Sequence, residues 1–170
     1  METAMTGTRI DRGSTPTTSI HSEGGDIAFE RTFDAPREQV WQAFTDPTIV
    51  PRWWGPHGTT TAIAEMDVRP GGRWRYISSA PDRPDQVFFG EYLEVDPPNG
   101  FKWTFMFDVE GVGPMGGPET FRFEEIGGRT RVSSIGHMGS VEAVEGAAAS
   151  GMVAGAIEAW DRLAAVLAGN

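Results

Sequence analysis

Few residues in this chain have the type and spacing for covalent chemistry. His57 and His137 lie far apart in sequence, and His21 is the third histidine. A metal site wants two or three ligands close together or on neighbouring strands, and no His-x-x-x-His, paired-Asp or cysteine set occurs. A general-base role for His137 needs a strongly placed partner, and none is evident in the sequence. Both histidines read better as satisfied structural residues. No Gly-x-Ser-x-Gly is present, and Ser133 and Ser134 have no obvious base nearby. Gly111, Gly113, Gly116 and Gly117 lack the Walker spacing and its Lys-Ser/Thr ending. No catalytic residue, metal or cofactor is assigned.

The carboxylates Glu65, Asp67, Glu91, Glu94, Glu124 and Glu125 mostly fall opposite large apolar neighbours, the pattern of solvated sheet positions. Glu65 and Asp67 are placed to pair across strands with Arg73 and Arg75. A carboxylate turned inward would instead anchor a polar group of a ligand. Glu91, beside Gly90, is the first suspect.

The aromatic residues carry more information. Six tryptophans and ten phenylalanines exceed what a small core needs. Phe29, Phe44 and Trp160 read as core. Trp53 and Trp54 stand in Pro51-Arg52-Trp53-Trp54-Gly55-Pro56-His57-Gly58, and tryptophan is too large to leave in a loop without a partner or a ligand. Capping the sheet is the simpler duty for both. Gly55, Gly58 and Gly90 remove side-chain volume among these rings, which favours an apolar cavity. Trp53, Trp54, Trp74, Phe89, Glu91, Trp103, Phe105 and Met152 are its expected ligand contacts.

The elements that hold these residues follow from periodicity. Residues 1–25 are rich in Thr, Ser and Gly and read as a disordered tail, because so few apolar groups cannot offset the entropy of ordering. Residues 26–170 form the one folded domain. Ile27, Phe29 and Phe33 share a strand face, and Asp34-Ala35-Pro36 starts a helix carrying Val40, Trp41 and Phe44. Asp46-Pro47 ends it, and a second helical turn spans Thr48 to Trp53. Strands follow with Ala62, Ala64, Met66 and Val68 on one face, then Arg73 to Ser79, then Val87, Phe89, Leu93 and Val95 on one face. Phe101, Trp103, Phe105 and Phe107 form a dense aromatic face. Strands at about 119–126 and 129–137 meet at Gly127-Gly128. Met152, Ala156, Trp160, Leu163 and Leu167 mark one stripe of a long helix. The expected fold class is α+β: a curved antiparallel sheet around a C-terminal helix, with two short helices after the first strand.

A net charge of −10 argues against nucleic acid and anionic membranes as partners. With no cysteine, disulfides and thiolate chemistry are excluded. No apolar run approaches a membrane span, and the N-terminus lacks a signal-peptide pattern, so a cytoplasmic protein is expected.

Phe29-Glu30-Arg31-Thr32-Phe33-Asp34-Ala35-Pro36, the Trp53-Trp54 loop, Asp67 to Tyr76 and Ser150 to Leu163 together resemble one family. It is the CalC/Aha-like branch of the START (SRPBCC, Bet v 1-like) superfamily, over roughly residues 26–168. The resemblance implies the helix-grip fold, with a cavity between sheet and final helix that binds a hydrophobic aromatic or polyketide-type molecule. Its CalC-like members protect antibiotic producers by binding a reactive enediyne and being cleaved in its place. In that reading Glu110 to Pro118 is the sacrificial loop, with Gly113 first and Gly111 and Gly116 beside it. Gly113 precedes a proline, which pushes it toward extended backbone. Two other classes stay open. One is a polyketide aromatase or cyclase, for which His57, Glu91, Arg73 and Arg75 are the polar candidates. The other is a protein-interaction module resembling chaperone ATPase activators.

Overall fold

The computed structural model describes residues 7–109 and 111–169. Strands β1 (Arg9–Asp11), β2 (Ser19–Glu23) and β3 (Asp26–Phe33) come first, followed by helix α1 (Arg37–Thr45) and a 3-10 turn (Val50–Arg52). Six strands then run in succession: β4 (Thr60–Met66), β5 (Arg73–Ala80), β6 (Arg83–Asp96), β7 (Gly100–Val109), β8 (Gly113–Ile126) and β9 (Arg129–His137). Helices α2 (Val141–Ala149) and α3 (Met152–Leu167) close the chain. All strands join one antiparallel sheet in the order β1-β2-β3-β9-β8-β7-β6-β5-β4. Trp160 of α3 meets Phe29 and Phe33 edge-on at 6.2 and 5.8 Å, so the helix lies against one face of the sheet. This is the helix-grip arrangement expected from the sequence.

Local sequence explains the helices. Val40, Ala43 and Phe44 supply the buried stripe of α1, which Asp46 ends. Ser140 caps α2 by accepting the Ala143 N–H at 3.1 Å, a cap worth about 1 kcal/mol. Helix α2 was not foreseen, because its Ala- and Gly-rich run lacks a strong apolar period. Gly151, at φ +86°, breaks the path between α2 and α3.

The segment before β3 corrects the expectation of a disordered tail. Residues 1–6 lie outside the described residues, but β1 and β2 extend the sheet beyond β3, and Ile20 is fully buried opposite Phe29. Order here does not need many apolar groups. An unpaired β3 would present open N–H and C=O groups, and pairing with β2 satisfies them. The Thr and Ser residues that suggested disorder complete the hydrogen bonding. Ser14 Oγ accepts the Ile20 N–H at 2.8 Å and donates to the Ile20 carbonyl at 3.1 Å. Arg12 then ties the segment to Glu145 of α2 at 2.5 Å.

Two strand faces differ from the alternation read in sequence. The β4–β5 register shifts between Ile63 and Glu65, so Ile63 and Met66 pack toward the core while Ala62 and Ala64 are exposed. On β6 the inward residues are Phe88 and Tyr92, while Leu93 is exposed. Apolar residues stand on both sides of β6, so period two alone offered two equal choices. A second shift between Tyr92 and Glu94 then returns Val95 to the core side. Asp67 bonds to Arg69 at 2.8 Å rather than across the sheet.

The glycine-rich segment is also mostly strand. Glu110 lies outside the described residues, and Gly113 to Pro118 pair with β7 from Val109 back to Thr104. The pre-proline preference is overridden at Gly113, which takes φ +101° where β8 leaves the turn.

Ile20→Ala should lower unfolding free energy by about 2–5 kcal/mol, the range for buried aliphatic deletions, measured by urea denaturation. A loss below about 0.5 kcal/mol would return the segment to the status of a tail.

Candidate functional site

The inner face of the sheet is built from rings. Phe101, Trp103, Phe105 and Phe107 alternate along β7 and pair with Phe121, Glu119, Gly117 and Met115 of β8. Trp74 stacks on Trp103 at 4.0 Å and 15°. Gly90 makes this stack possible. A Cβ there would stand 1.8 Å from the Thr104 carbonyl oxygen, and that carbonyl accepts the Trp74 indole N–H at 3.1 Å.

The face has a sealed end and an open end. At the sealed end Phe101, Phe121 and Phe123 are buried against Phe44 of α1, at 6.4, 5.5 and 5.0 Å between ring centres. At the other end Trp54, Phe88, Phe105 and Phe107 are only half-buried. Helix α3 is buried at Ala159, Trp160, Leu163 and Leu167 and half-buried at Met152, Val153, Ala156 and Ile157 of its first half, where Val153 stands beside Gly13. Trp54 stands at the centre of this open end, within 5.0–6.2 Å of Trp74, Tyr76, Phe88, Trp103 and Phe105. Its ring fills space in which a cavity was expected. Two open clefts of about 380 Å³ each lie away from this face, one over Arg83 to Val87 and Asp108, the other over Arg73, Phe89 and Glu91.

The loop carrying Trp54 is held from α3. Arg162 Nη1 donates to the carbonyls of Trp54, Gly55 and Pro56 at 3.2, 2.9 and 3.2 Å, and Nη2 to that of Arg52 at 3.3 Å. One turn earlier, Glu158 Oε1 accepts the His57 N–H at 3.1 Å.

The expected contacts therefore separate into groups. Trp54, Phe105 and Met152 line the open end, with Trp74 and Trp103 as its buried floor. Trp53 is core, 2% exposed, and donates its indole N–H to the Ala43 carbonyl at 2.8 Å. Phe89 and Glu91 lie on the outer face, paired with Arg75 and Arg73. Phe88, the neighbour of Phe89, takes the inner position instead.

Glu119, absent from the sequence-based set, is the carboxylate that does point inward. Its Oε1 accepts the Trp103 indole N–H at 2.8 Å, and its pair partners are Trp103 and Gly136. Burial raises the carboxyl from its ordinary value to about 7, the Trp103 bond pulling weakly the other way. The signal was available: Glu119 shares the alternation of Phe121 and Phe123.

Comparison with known proteins fixes the family. The profile of Activator of Hsp90 ATPase homolog 1-like proteins matches residues 34–168. The chain belongs to this family. Solved structures agree: protein Ms6760 from Mycobacterium smegmatis is 28% identical with a TM-score of 0.80, over 89% of this chain and 97% of that one. A protein from Arthrobacter aurescens is 25% identical with a TM-score of 0.81, over 89% and 92%. CalU16 from Micromonospora echinospora, 22% identical with a TM-score of 0.55 over 94% and 85%, shares the fold alone. No curated protein matches the sequence.

In this Activator of Hsp90 ATPase homolog 1-like domain the remaining polar candidates stand away from the inner face. His57 is exposed in the tryptophan loop. His137 does have a partner, Asp26 Oδ1 at 2.8 Å across β3 and β9, next to the inward positions Ile27 and Gly136 and hence on the opposite face. Tyr92 is pushed up to about 12 by burial and Tyr76 well above the ordinary phenol value, so neither acts as a base near neutrality. Among the described residues no three His, Cys, Asp or Glu side chains gather as a metal site.

The raised Glu119 carboxyl has a consequence for stability. Folded Glu119 titrates at about 7 and an unfolded glutamate at about 4.3, so between these values the folded chain holds the extra proton. Its stabilising contribution is full below the unfolded value and is lost as pH rises through about 7. Glu119→Gln should therefore gain on the parent protein in melting temperature as pH rises across that window. Parallel pH profiles for the two proteins would show that the carboxyl is not perturbed.

Proposed function

We propose that this domain binds a hydrophobic aromatic or polyketide-type small molecule at the open end of the inner face, and that it does so without catalysing a reaction. The observation that carries this reading is the incomplete burial of Trp54, Phe88, Phe105 and Phe107 at one end of an otherwise buried aromatic face. Trp54, Phe88, Phe105 and Met152 supply the walls, and the stacked Trp74 and Trp103 supply a rigid floor.

The other two classes fit less well. A cyclase needs several polar groups in the cavity, yet His57, Arg73, Arg75 and Glu91, the candidates for it, all lie off the inner face and leave Glu119 as the inward carboxylate. A chaperone-activating module needs a contiguous apolar patch. The exposed large apolar residues Ile10, Leu93, Val112, Met115, Ile126 and Val141 are spread over β1, β6, the β7–β8 turn, both ends of β8 and α2. We place the protein in the cytoplasm, and no helix of the described residues is long and apolar enough to cross a membrane.

N-Phenylnaphthylamine, a neutral aromatic reporter, should bind and quench tryptophan emission. Trp54→Ala or Phe105→Ala should weaken it by about ten-fold, or ~1.4 kcal/mol, whereas Phe89→Ala and Glu91→Gln should leave it unchanged. The reading fails if the outer-face variants lose affinity and the inner-face variants keep it.

The narrower form of this reading is antibiotic self-resistance, in which the ligand is an enediyne and the chain is cut in its place. The activated diradical would abstract a glycine Cα hydrogen, forming an arene C–H bond and leaving a radical shared between amide nitrogen and carbonyl, to which dissolved dioxygen adds as the oxidant for backbone scission. Gly111 and Gly113 suit this chemistry, because nothing stands within 4 Å of an added Cβ at either. Gly116 does not, since its Cβ would lie 1.9 Å from the Phe105 carbonyl oxygen inside the sheet. Replacing Gly113 would strain a backbone at φ +101°, so isotope labelling is the cleaner test. With glycine deuterated at Cα, deuterium should appear in the cycloaromatised product and scission should map to Gly111 or Gly113 by mass spectrometry. An unlabelled product with an intact chain would reduce the ligand to an ordinary hydrophobic guest.

A further inference from the structure

Glu119 is costly to hold where it is. It stands in an aromatic environment with Trp103 and Phe105 on the adjacent strand, and no ion pair reaches it among the described residues. Trp103 occupies only Oε1. The other oxygen, Oε2, faces Gly136, 4.0 Å from where a Cβ would stand, so no side chain at that position of β9 covers it. Gly117, the next inward position on the same strand, is closed by the His137 carbonyl oxygen, 2.4 Å from where its Cβ would stand. The Trp103 bond fixes the direction of the group, so Oε2 is presented rather than free to fold back. The cations of the surrounding elements are engaged elsewhere: Arg162 on the loop carbonyls and Arg31 on Asp161 at 2.6 Å.

A desolvated carboxylate that lacks a cation is stabilised by any cation brought to it, and aromatic faces favour the same charge. An anionic or merely apolar guest would leave the group unpaired, at a cost. We infer that Glu119 selects hydrophobic ligands that carry a protonated amine, the ammonium pairing with Oε2 beside Gly136 while Trp103 and Phe105 wall its hydrocarbon. The inference deepens the proposed binding function and rests on it. Recognition of this kind matches a weakly basic aromatic amine or an amino-sugar-bearing aromatic compound better than a neutral lipid.

Three probes of one skeleton test it: naphthylmethylamine, naphthylmethanol and naphthoate, each displacing N-phenylnaphthylamine at about pH 8, where carboxylate and alkylammonium are both charged. In the unaltered protein the amine should displace the reporter at about ten-fold lower concentration than the alcohol, with the carboxylate weakest. Glu119→Gln, whose amide oxygen can still accept from Trp103, should still bind the reporter, at least as tightly because no charge is left unpaired, and lose the preference for amine over alcohol. If the reporter binds but amine and alcohol compete equally in the unaltered protein, the inference is overturned and the binding function stands. A preference that survives in Glu119→Gln overturns it too. Should the reporter not bind the unaltered protein at all, both readings fall together.

Discussion

The guanidinium of Arg162 is the contact on which the inner face depends. Four carbonyls, from Arg52, Trp54, Gly55 and Pro56, converge on it. The Thr61 and Thr59 hydroxyls also donate to the Trp54 and Pro56 carbonyls, at 3.0 and 2.7 Å, whereas the Arg52 and Gly55 carbonyls take their donors from α3. A single planar fork with several N–H groups supplies them, which a lysine ammonium could not do with the same geometry. Helix α3 thereby carries two functions on two faces. Trp160 and Leu163 seal the core beneath it, while Glu158 and Arg162, one turn apart, position the loop. Trp54 is then aimed at the centre of the aromatic rows instead of being left to solvent.

That arrangement explains why the rings are so unevenly covered. Trp53, one residue earlier, turns into the core and bonds to the Ala43 carbonyl, joining the loop to α1. Trp54 turns the other way and meets five rings from β5, β6 and β7. A core of this size needs only the first of these packings to be closed. Beyond Trp54 the rows are less covered, and Phe88 and Phe107 remain half-buried. The fold is therefore tight where stability requires it and loosely covered at one end, the division expected of a scaffold that accepts a guest.

Much of the fold was legible because alternation in β7 and the stripe of α3 each have one apolar face. Phe101, Trp103, Phe105 and Phe107 admit a single strand register, and Trp160 with Leu163 admits a single helix face. Legibility ended where both faces of a strand carry apolar residues. On β6, Phe88 and Phe89 are adjacent, and only cross-strand pairing with Phe107 and Met106 decides which points inward. The β4 shift at Ala64 is invisible to periodicity, since a bulge leaves composition unchanged. Composition also misled at the N-terminus, where order comes from edge pairing and Ser14 rather than from apolar mass. For the site, the aromatic floor could be read, but the inward carboxylate was sought at Glu91 by its nearness to Gly90. Gly90 proves to accommodate a carbonyl, not a ligand. Glu119 was passed over although it continues the parity of Phe121 and Phe123.

Glu119 is also the strongest reason to regard this face as more than a core. An apolar residue of similar size would fill the position without desolvating a charge, and replacing buried ionic groups by packed apolar ones is commonly neutral or stabilising. The Trp103 indole satisfies one oxygen, which suffices to hold the group but not to offset its burial. A position that gives up stability at neutral pH, inside the least covered part of the molecule, has the character of a binding group rather than a structural one. The same stacked Trp103 that would wall a ligand also aims the carboxyl, so affinity for an apolar skeleton and selection of its polar substituent share one side chain.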